Sequence, residues 1–212
     1  MSAPNTVTNR FRHPSGWLGR LTLARMNLSH SRLTDWGLTH ITIRPDSTLL
    51  DIGCGGGRTL QKLAAAAPQG KVFGIDHSET SVAASRKANA RAIARGQVEI
   101  VQGSVSQLPW PDATFDLATA IETHFFWPSL PGDVREVFRI LKPGGTLILI
   151  AEVYRDSGHL SAQLMEKYAP VTGMTLLTAD EHRDLLAQAG FSQVRVDTDR
   201  AKGWITAFGV RP

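Results

Sequence analysis

The stretch Thr48-Leu49-Leu50-Asp51-Ile52-Gly53-Cys54-Gly55-Gly56-Gly57-Arg58-Thr59 sets four glycines between an apolar run and an amphipathic one. Such a run predicts a buried strand that turns sharply into a helix, because glycine takes positive φ without strain and lets a ligand approach the backbone closely. The following helix adds unpaired N–H groups and the positive end of its dipole at the same place. The spacing narrows what such a loop holds. A phosphate-binding P-loop needs lysine after its last glycine, and Arg58 stands there instead. A dinucleotide fingerprint starting at Gly53 needs its third glycine at position 58, which fails for the same reason. The pattern is GxGxG, and a purely structural tight turn stays open as an alternative at this point.

The rest of the chain alternates. Strands are expected at 48–52, 71–75, 98–102, 115–121 and 146–153, with helices at 58–67, 78–94 and 134–141 between them. Short apolar strands separated by helices of ten or more residues imply right-handed crossovers and a parallel sheet covered on both faces. A last helix is expected at 179–190, then strands at 194–196 and 204–208. Their link, DTDRAKG, is too short for a parallel crossover, so that pair is expected to be antiparallel and adjacent. Scattered apolar residues from Trp17 to Ile43 predict one or two N-terminal helices.

Composition excludes several classes. The 212 residues fit one globular domain, and the single cysteine, Cys54, rules out an intrachain disulfide or a multi-cysteine metal site, so no metal is expected. That usage suits a reducing cytoplasmic compartment. No apolar run reaches the ~20 residues of a membrane span, and MSAPNTVTNRFRHPSG carries no secretory apolar stretch, so neither membrane insertion nor export by that route is expected. The net charge of +4 comes from residues 1–48, where six arginines face two aspartates, while the body is neutral. A basic arm there suits a solvated helical face, an acidic ligand or a partner.

LLDIGCGGGRT closely resembles the first motif of class I S-adenosylmethionine-dependent methyltransferases, and the resemblance continues in family order over about residues 46–155. Gly74-Ile75-Asp76-His77-Ser78 looks like the acidic end of the second strand. Gly103-Ser104-Val105-Ser106-Gln107-Leu108-Pro109 resembles the loop after the third. Asp112-Ala113-Thr114-Phe115-Asp116 looks like the lead-in to strand four, and Leu141-Lys142-Pro143-Gly144-Gly145-Thr146-Leu147 like the turn into strand five. The fold implied is an α/β Rossmann-like three-layer sandwich with a seven-stranded, mostly parallel sheet, its last strand pair antiparallel. Residues 1–45 would form an N-terminal helical cap of the same domain and 46–212 the cofactor-binding domain.

The resemblance implies S-adenosylmethionine as cofactor and assigns expected roles. Asp51 would order the glycine loop or bond toward the ligand's amino group, Gly53 and Gly55 would turn backbone groups to its methionine part, and Cys54 would be a small side chain beneath it. A carboxylate at Asp76 can accept both ribose hydroxyl protons, with His77 beside it; capping the next helix is its structural alternative. Ser104 and the N–H of Val105 would meet the adenine, and Ile121 with Glu122 would lie alongside the ligand.

Methyl transfer from a sulfonium needs mainly alignment of a nucleophile and, for a protonated one, a base. Crevices in open α/β sheets lie outside the carboxyl ends of the strands. His124 is the leading candidate base there, with Glu122 and Tyr154 as further catalytic candidates. Phe125, Phe126 and Trp127 would wall a pocket or belong to the core, and the same two readings hold for Met165, Tyr168 and Met174. Asn- or Asp-Pro-Pro-aromatic sequence is missing after strand four, and no cysteine stands there, which disfavours DNA methylation. A small-molecule acceptor is expected, with no nucleic acid, and the oligomeric state is open between monomer and homodimer. The rival functions are a nicotinamide-dependent oxidoreductase and a non-catalytic cofactor-binding protein docking through the basic segment.

Overall fold

The computed structural model describes residues 31–212. Arg10, Arg12, Arg20 and Arg25 of the basic arm and the expected cap residues Trp17, Leu18, Leu21 and Met26 lie outside the described residues. Seven strands form one sheet: β1 (Thr48–Ile52), β2 (Lys71–Asp76), β3 (Val98–Gln102), β4 (Phe115–Ile121), β5 (Leu141–Ala151), β6 (Ser192–Asp199) and β7 (Trp204–Val210). Their order is β3-β2-β1-β4-β5-β7-β6. β1 to β5 run parallel, and β7 pairs antiparallel with both β5 and β6, as the short final link requires.

Helices cover both faces. α1 (Ser31–Leu38), α2 (Arg58–Ala66), α3 (Glu79–Ala88) and the short α4 (Ala90–Ala94) lie on one side, and α5 (Leu130–Ile140) and α7 (Ala179–Gln188) on the other. Strand alternation explains the division. Leu49, Leu117, Ile148 and Ile150 pack with Leu33, Leu60, Leu63 and Val82, while Leu50, Ala118, Leu147 and Leu149 pack with Val134, Val137 and Leu186. Both faces are buried, so the strands read as continuous apolar runs. α1 sits close on the sheet, where a Cβ on Gly37 would fall 2.4 Å from Ile150.

Several boundaries differ from expectation, and three of them have a visible cause. The single helix predicted over 78–94 is broken at Asn89, whose Nδ2 donates to the carbonyls of Ser85 at 2.9 Å and Gly57 at 3.0 Å. The break docks that amide on the glycine loop. α5 starts at Leu130 rather than 134, with Pro131 in its first turn, where a missing N–H costs nothing. β5 starts at Leu141 rather than 146, because the chain pairs with Phe115, bulges through 142–145 and resumes at Thr146 opposite Leu117.

Residues 157–178, left unassigned by periodicity, contain α6 (Leu160–Thr172), whose Leu160, Leu164, Tyr168 and Val171 are exposed. No helix among the described residues is long and apolar enough to cross a membrane. At the opposite, amino end of the sheet Asp116 ties three strands together. Its carboxylate accepts the Thr48 N–H at 2.7 Å, Lys142 Nζ at 2.9 Å and Arg44 Nη2 at 3.2 Å. The lead-in motif to strand four is thus structural.

Candidate functional site

The strand order places β1 between β2 and β4, so the chain leaves β1 toward one side and β4 toward the other. A crevice opens at their carboxyl ends, the usual ligand position in such sheets. The glycine loop forms its floor. Gly53 and Cys54 both donate their N–H groups to the Ile75 carbonyl, at 2.8 and 3.1 Å, which pins the loop to the end of β2. Gly57 holds φ +80°, and a Cβ there would lie 2.4 Å from Ser85 Oγ, so glycine is required on both counts. Gly53 holds φ +73° against the Thr123 methyl, while the Thr123 hydroxyl donates to the Ile52 carbonyl at 3.1 Å. The two arms of the crevice therefore touch through Gly53 and Thr123.

Two buried carboxyls flank the loop, Asp51 at 2% and Asp76 at 7% exposure. Asp76 accepts the Gly55 N–H and the Ser78 N–H, each at 2.9 Å, and Ser78, not Asp76, caps α3 by accepting the Ser81 N–H at 3.3 Å. Those two bonds leave lone pairs on the carboxylate for further donors. Asp51 Oδ1 accepts the Thr119 hydroxyl at 2.7 Å. Burial, reinforced by the charge of Asp76 but opposed by the Thr119 bond, pushes the Asp51 carboxyl up to about 7. Among the described residues no lysine or arginine pairs with either group, an arrangement that costs free energy until a cationic or donor-bearing ligand enters. A ligand with an ammonium and a sulfonium centre and a vicinal diol has the donors and charges this set lacks, so the residues present fit S-adenosylmethionine.

The other expected positions divide. Cys54 is buried, its thiol raised by burial and by the charges of Asp51 and Asp76, and its Sγ lies 3.8 Å from Ser85 Oγ, an inert packing group. His77 is exposed, with Nδ1 3.7 Å from Asp76 Oδ1. Ser104 is exposed, and its hydroxyl accepts the Ser106 N–H at 3.2 Å inside its own loop, while Val105 is buried. Arg58 is exposed at the start of α2. Ile121 ends β4, and Glu122 follows in the left-handed region at φ 59°, a strained conformation for a non-glycine residue. Glu122 Oε1 accepts the Glu152 N–H at 2.5 Å, which fixes it to the end of β5.

His124 and Tyr154 are buried at this edge. Tyr154 packs with Phe125, Ala151 and Ile205, against Phe126 and Met174. The Thr175 N–H donates to the Phe125 carbonyl at 2.8 Å, so the segment after α6 closes over the turn formed by His124–Phe126. Met174 joins this cluster, whereas Tyr168 is half exposed. Trp127 belongs to the core beneath α5. His124 lies with Nε2 3.0 Å from His182 Nε2 on α7.

Periodicity missed Thr119, Asn89 and His182. A threonine within the apolar strand FDLATAI was a legible signal. Nothing local marks the other two.

The Methyltransferase domain family model matches residues 50–149. An uncharacterized methyltransferase of Synechocystis sp. is 32% identical over 200 residues, covering 90% of this chain and 89% of that protein. The O-methyltransferase cnsE of Penicillium expansum is 32% identical over 148 residues, covering 70% of this chain and 53% of that protein. The chain spans about half or less of the length of the first curated relatives it matches. Among solved structures, a chain of the complex between a Haloferax volcanii methyltransferase activator and its methyltransferase superposes with a TM-score of 0.79 at 21% identity, covering 90% of this chain and 94% of that one. The chain belongs to the class I S-adenosylmethionine-dependent methyltransferase family.

Proposed function

We propose that this protein transfers a methyl group from S-adenosylmethionine to a nucleophile on a small-molecule acceptor by in-line displacement. The observation that carries this reading is the pair of buried carboxyls, Asp51 and Asp76, on either side of a glycine loop at the β1/β4 crevice. In this reading Asp76 holds the ribose hydroxyls with the lone pairs left by Gly55 and Ser78. Asp51 faces the ammonium of the methionine part, and Gly53 and Gly55 present backbone to it. The Val105 N–H serves the adenine, because the Ser104 hydroxyl already accepts a bond within its loop. Cys54, His77 and Ile121 complete the wall. The bound cofactor supplies an activated methyl on a sulfonium, and the chain supplies position, exclusion of water and a base.

The acceptor side is drawn at the same edge. His124 is the base, Glu122 and Tyr154 orient the acceptor, and Phe125 and Phe126 exclude water. Residues 46–212 form the cofactor-binding domain, with 1–45 as its helical cap; the packing of Leu33 on the sheet face supports this. Small-molecule acceptors are favoured by the relatives whose names carry them, among them the demethylmenaquinone methyltransferase of Symbiobacterium thermophilum. Calorimetric titration with S-adenosylhomocysteine, with NADH in parallel, tests the cofactor. Micromolar binding of the first and none of the second is expected, and the reverse would return the chain to the oxidoreductase reading. Tritium transfer from labelled cofactor into metabolite extracts then tests the reaction. A clean negative would favour a binding role without transfer.

A further inference from the structure

His124 and His182 form a buried pair with an internal direction. His182 Nδ1 lies 2.7 Å from the Thr178 carbonyl oxygen. A carbonyl only accepts, so this nitrogen carries the proton. Both rings are buried, at 2% and 1% exposure, and burial lowers both, which keeps them neutral. A neutral imidazole has one N–H, so His182 Nε2 is a bare acceptor. The 3.0 Å contact between the two Nε2 atoms then requires His124 Nε2 to donate. His124 Nδ1 is left with its lone pair, buried and without a hydrogen-bond partner among the described residues. The opposite polarity would need a buried imidazolium at His182 and strand an N–H at His124 Nδ1, a costlier arrangement.

We infer that His182 fixes the tautomer of His124 so that its Nδ1 accepts the proton of an O–H or N–H nucleophile on the methyl acceptor. The inference rests on the methyl-transfer reading and narrows its substrate class, since a lone-pair base is of use to a nucleophile that arrives protonated. The acceptor's oxygen or nitrogen forms its bond to the methyl carbon as the carbon–sulfur bond breaks with its electron pair going to sulfur. The acceptor's proton passes to His124 Nδ1, and the sulfonium's positive charge is exchanged for that of an imidazolium. The Nε2–H of that imidazolium still donates to His182, whose Nδ1–H remains on Thr178. The charged groups around His182 are Glu181 beside it on α7 and Arg155, which pairs with Glu181. His182 is a positioning residue. Thr178, which orients it, is the N-cap of α7 and part of a capping box with Glu181.

Proton–nitrogen correlation spectra of the histidine rings of the full ligand-free chain near neutral pH test the tautomers without any acceptor. His124 should be protonated at Nε2 only and His182 at Nδ1 only. His182→Phe should release the His124 tautomer, and His182→Gln, which keeps an acceptor at the same position, should retain it. A His124 proton on Nδ1, or a tautomer unchanged in His182→Phe, overturns the inference. With tritium-labelled S-adenosylmethionine and a panel of phenols, alcohols and amines, His182→Phe should lower kcat about tenfold or more with little change in KM, and His182→Gln should restore most of it. Equal rates in His182→Phe, or no transfer to any panel member by a protein that binds S-adenosylhomocysteine, overturns the protic-acceptor assignment. Failure to bind S-adenosylhomocysteine would instead overturn the methyltransferase reading while the spectra still decide the tautomers.

Discussion

Asp51→Asn should make the ligand-free protein more stable and its cofactor site worse. The wild-type carboxyl titrates at an ordinary value of 3.8 when unfolded and is pushed up to about 7 in the fold, first by burial. Between those values the unfolded chain has lost the proton and the folded one has kept it, so stability falls as pH rises and levels off above about 7. The gap corresponds to roughly 4 kcal/mol for this fully buried group. Asparagine is neutral throughout and still accepts the Thr119 hydroxyl at Oδ1. At about pH 3, below the unfolded value, the variant and wild type should melt within a degree or two, because both then carry a neutral group in the folded and in the unfolded chain. At about pH 8 the variant should melt roughly 8–16 °C higher, since the full gap of roughly 4 kcal/mol applies there and each kcal/mol moves a chain of this size by about 2–4 °C. Scanning calorimetry at both pH values measures the difference, and titration with S-adenosylhomocysteine should show at least about tenfold weaker binding. A melting difference independent of pH, or a variant less stable at the higher pH, would refute the reasoning.

Asp76→Ala should weaken S-adenosylhomocysteine binding by about tenfold or more, as a buried charge-assisted bond contributes roughly 1.5–3 kcal/mol; unchanged affinity in calorimetry would move the ribose elsewhere. Gly57→Ala should destabilise by about 1–3 kcal/mol in a denaturant titration, because a left-handed φ is coupled to a clash with Ser85 and Asn89. Asp116→Ala should cost roughly 1–3 kcal/mol of stability by the same measurement, having left the Thr48 N–H unpaired. The Asp116 carboxyl is held below its ordinary value by the Thr48 N–H and by Lys142, although burial opposes this. Its contribution is complete above the unfolded value and is lost as pH falls through the lower folded one. Native Cys54 should resist thiol reagents until the chain is unfolded, since the thiol is buried and raised.

Local pattern was enough for the five parallel strands, the glycine turn, the antiparallel final pair and the two carboxyls, because each rests on neighbours within a few residues. Strand alternation writes itself into apolar runs, and a loop needing left-handed backbone demands glycine at those positions. Where long-range contacts set the boundary, local pattern fell short. The break at Asn89 depends on the Gly57 carbonyl, the early start of β5 on pairing with Phe115, and the structural role of Asp116 on Lys142 and Thr48.

The sequence by itself determined the layered α/β fold, the family and the glycine turn after the first strand, because hydrophobic period, turn chemistry and motif order are one-dimensional. Only the tertiary structure decided what the buried polar groups are. Asp51 and Asp76 become a mutually repelling pair, with no lysine or arginine on either among the described residues, when β1 and β2 align. His124 gains its buried ring partner only when α7 brings His182, 58 residues away in sequence, to within hydrogen-bond distance. Charge state and tautomer depend on burial and on through-space partners, and neither is encoded in the order of neighbouring residues.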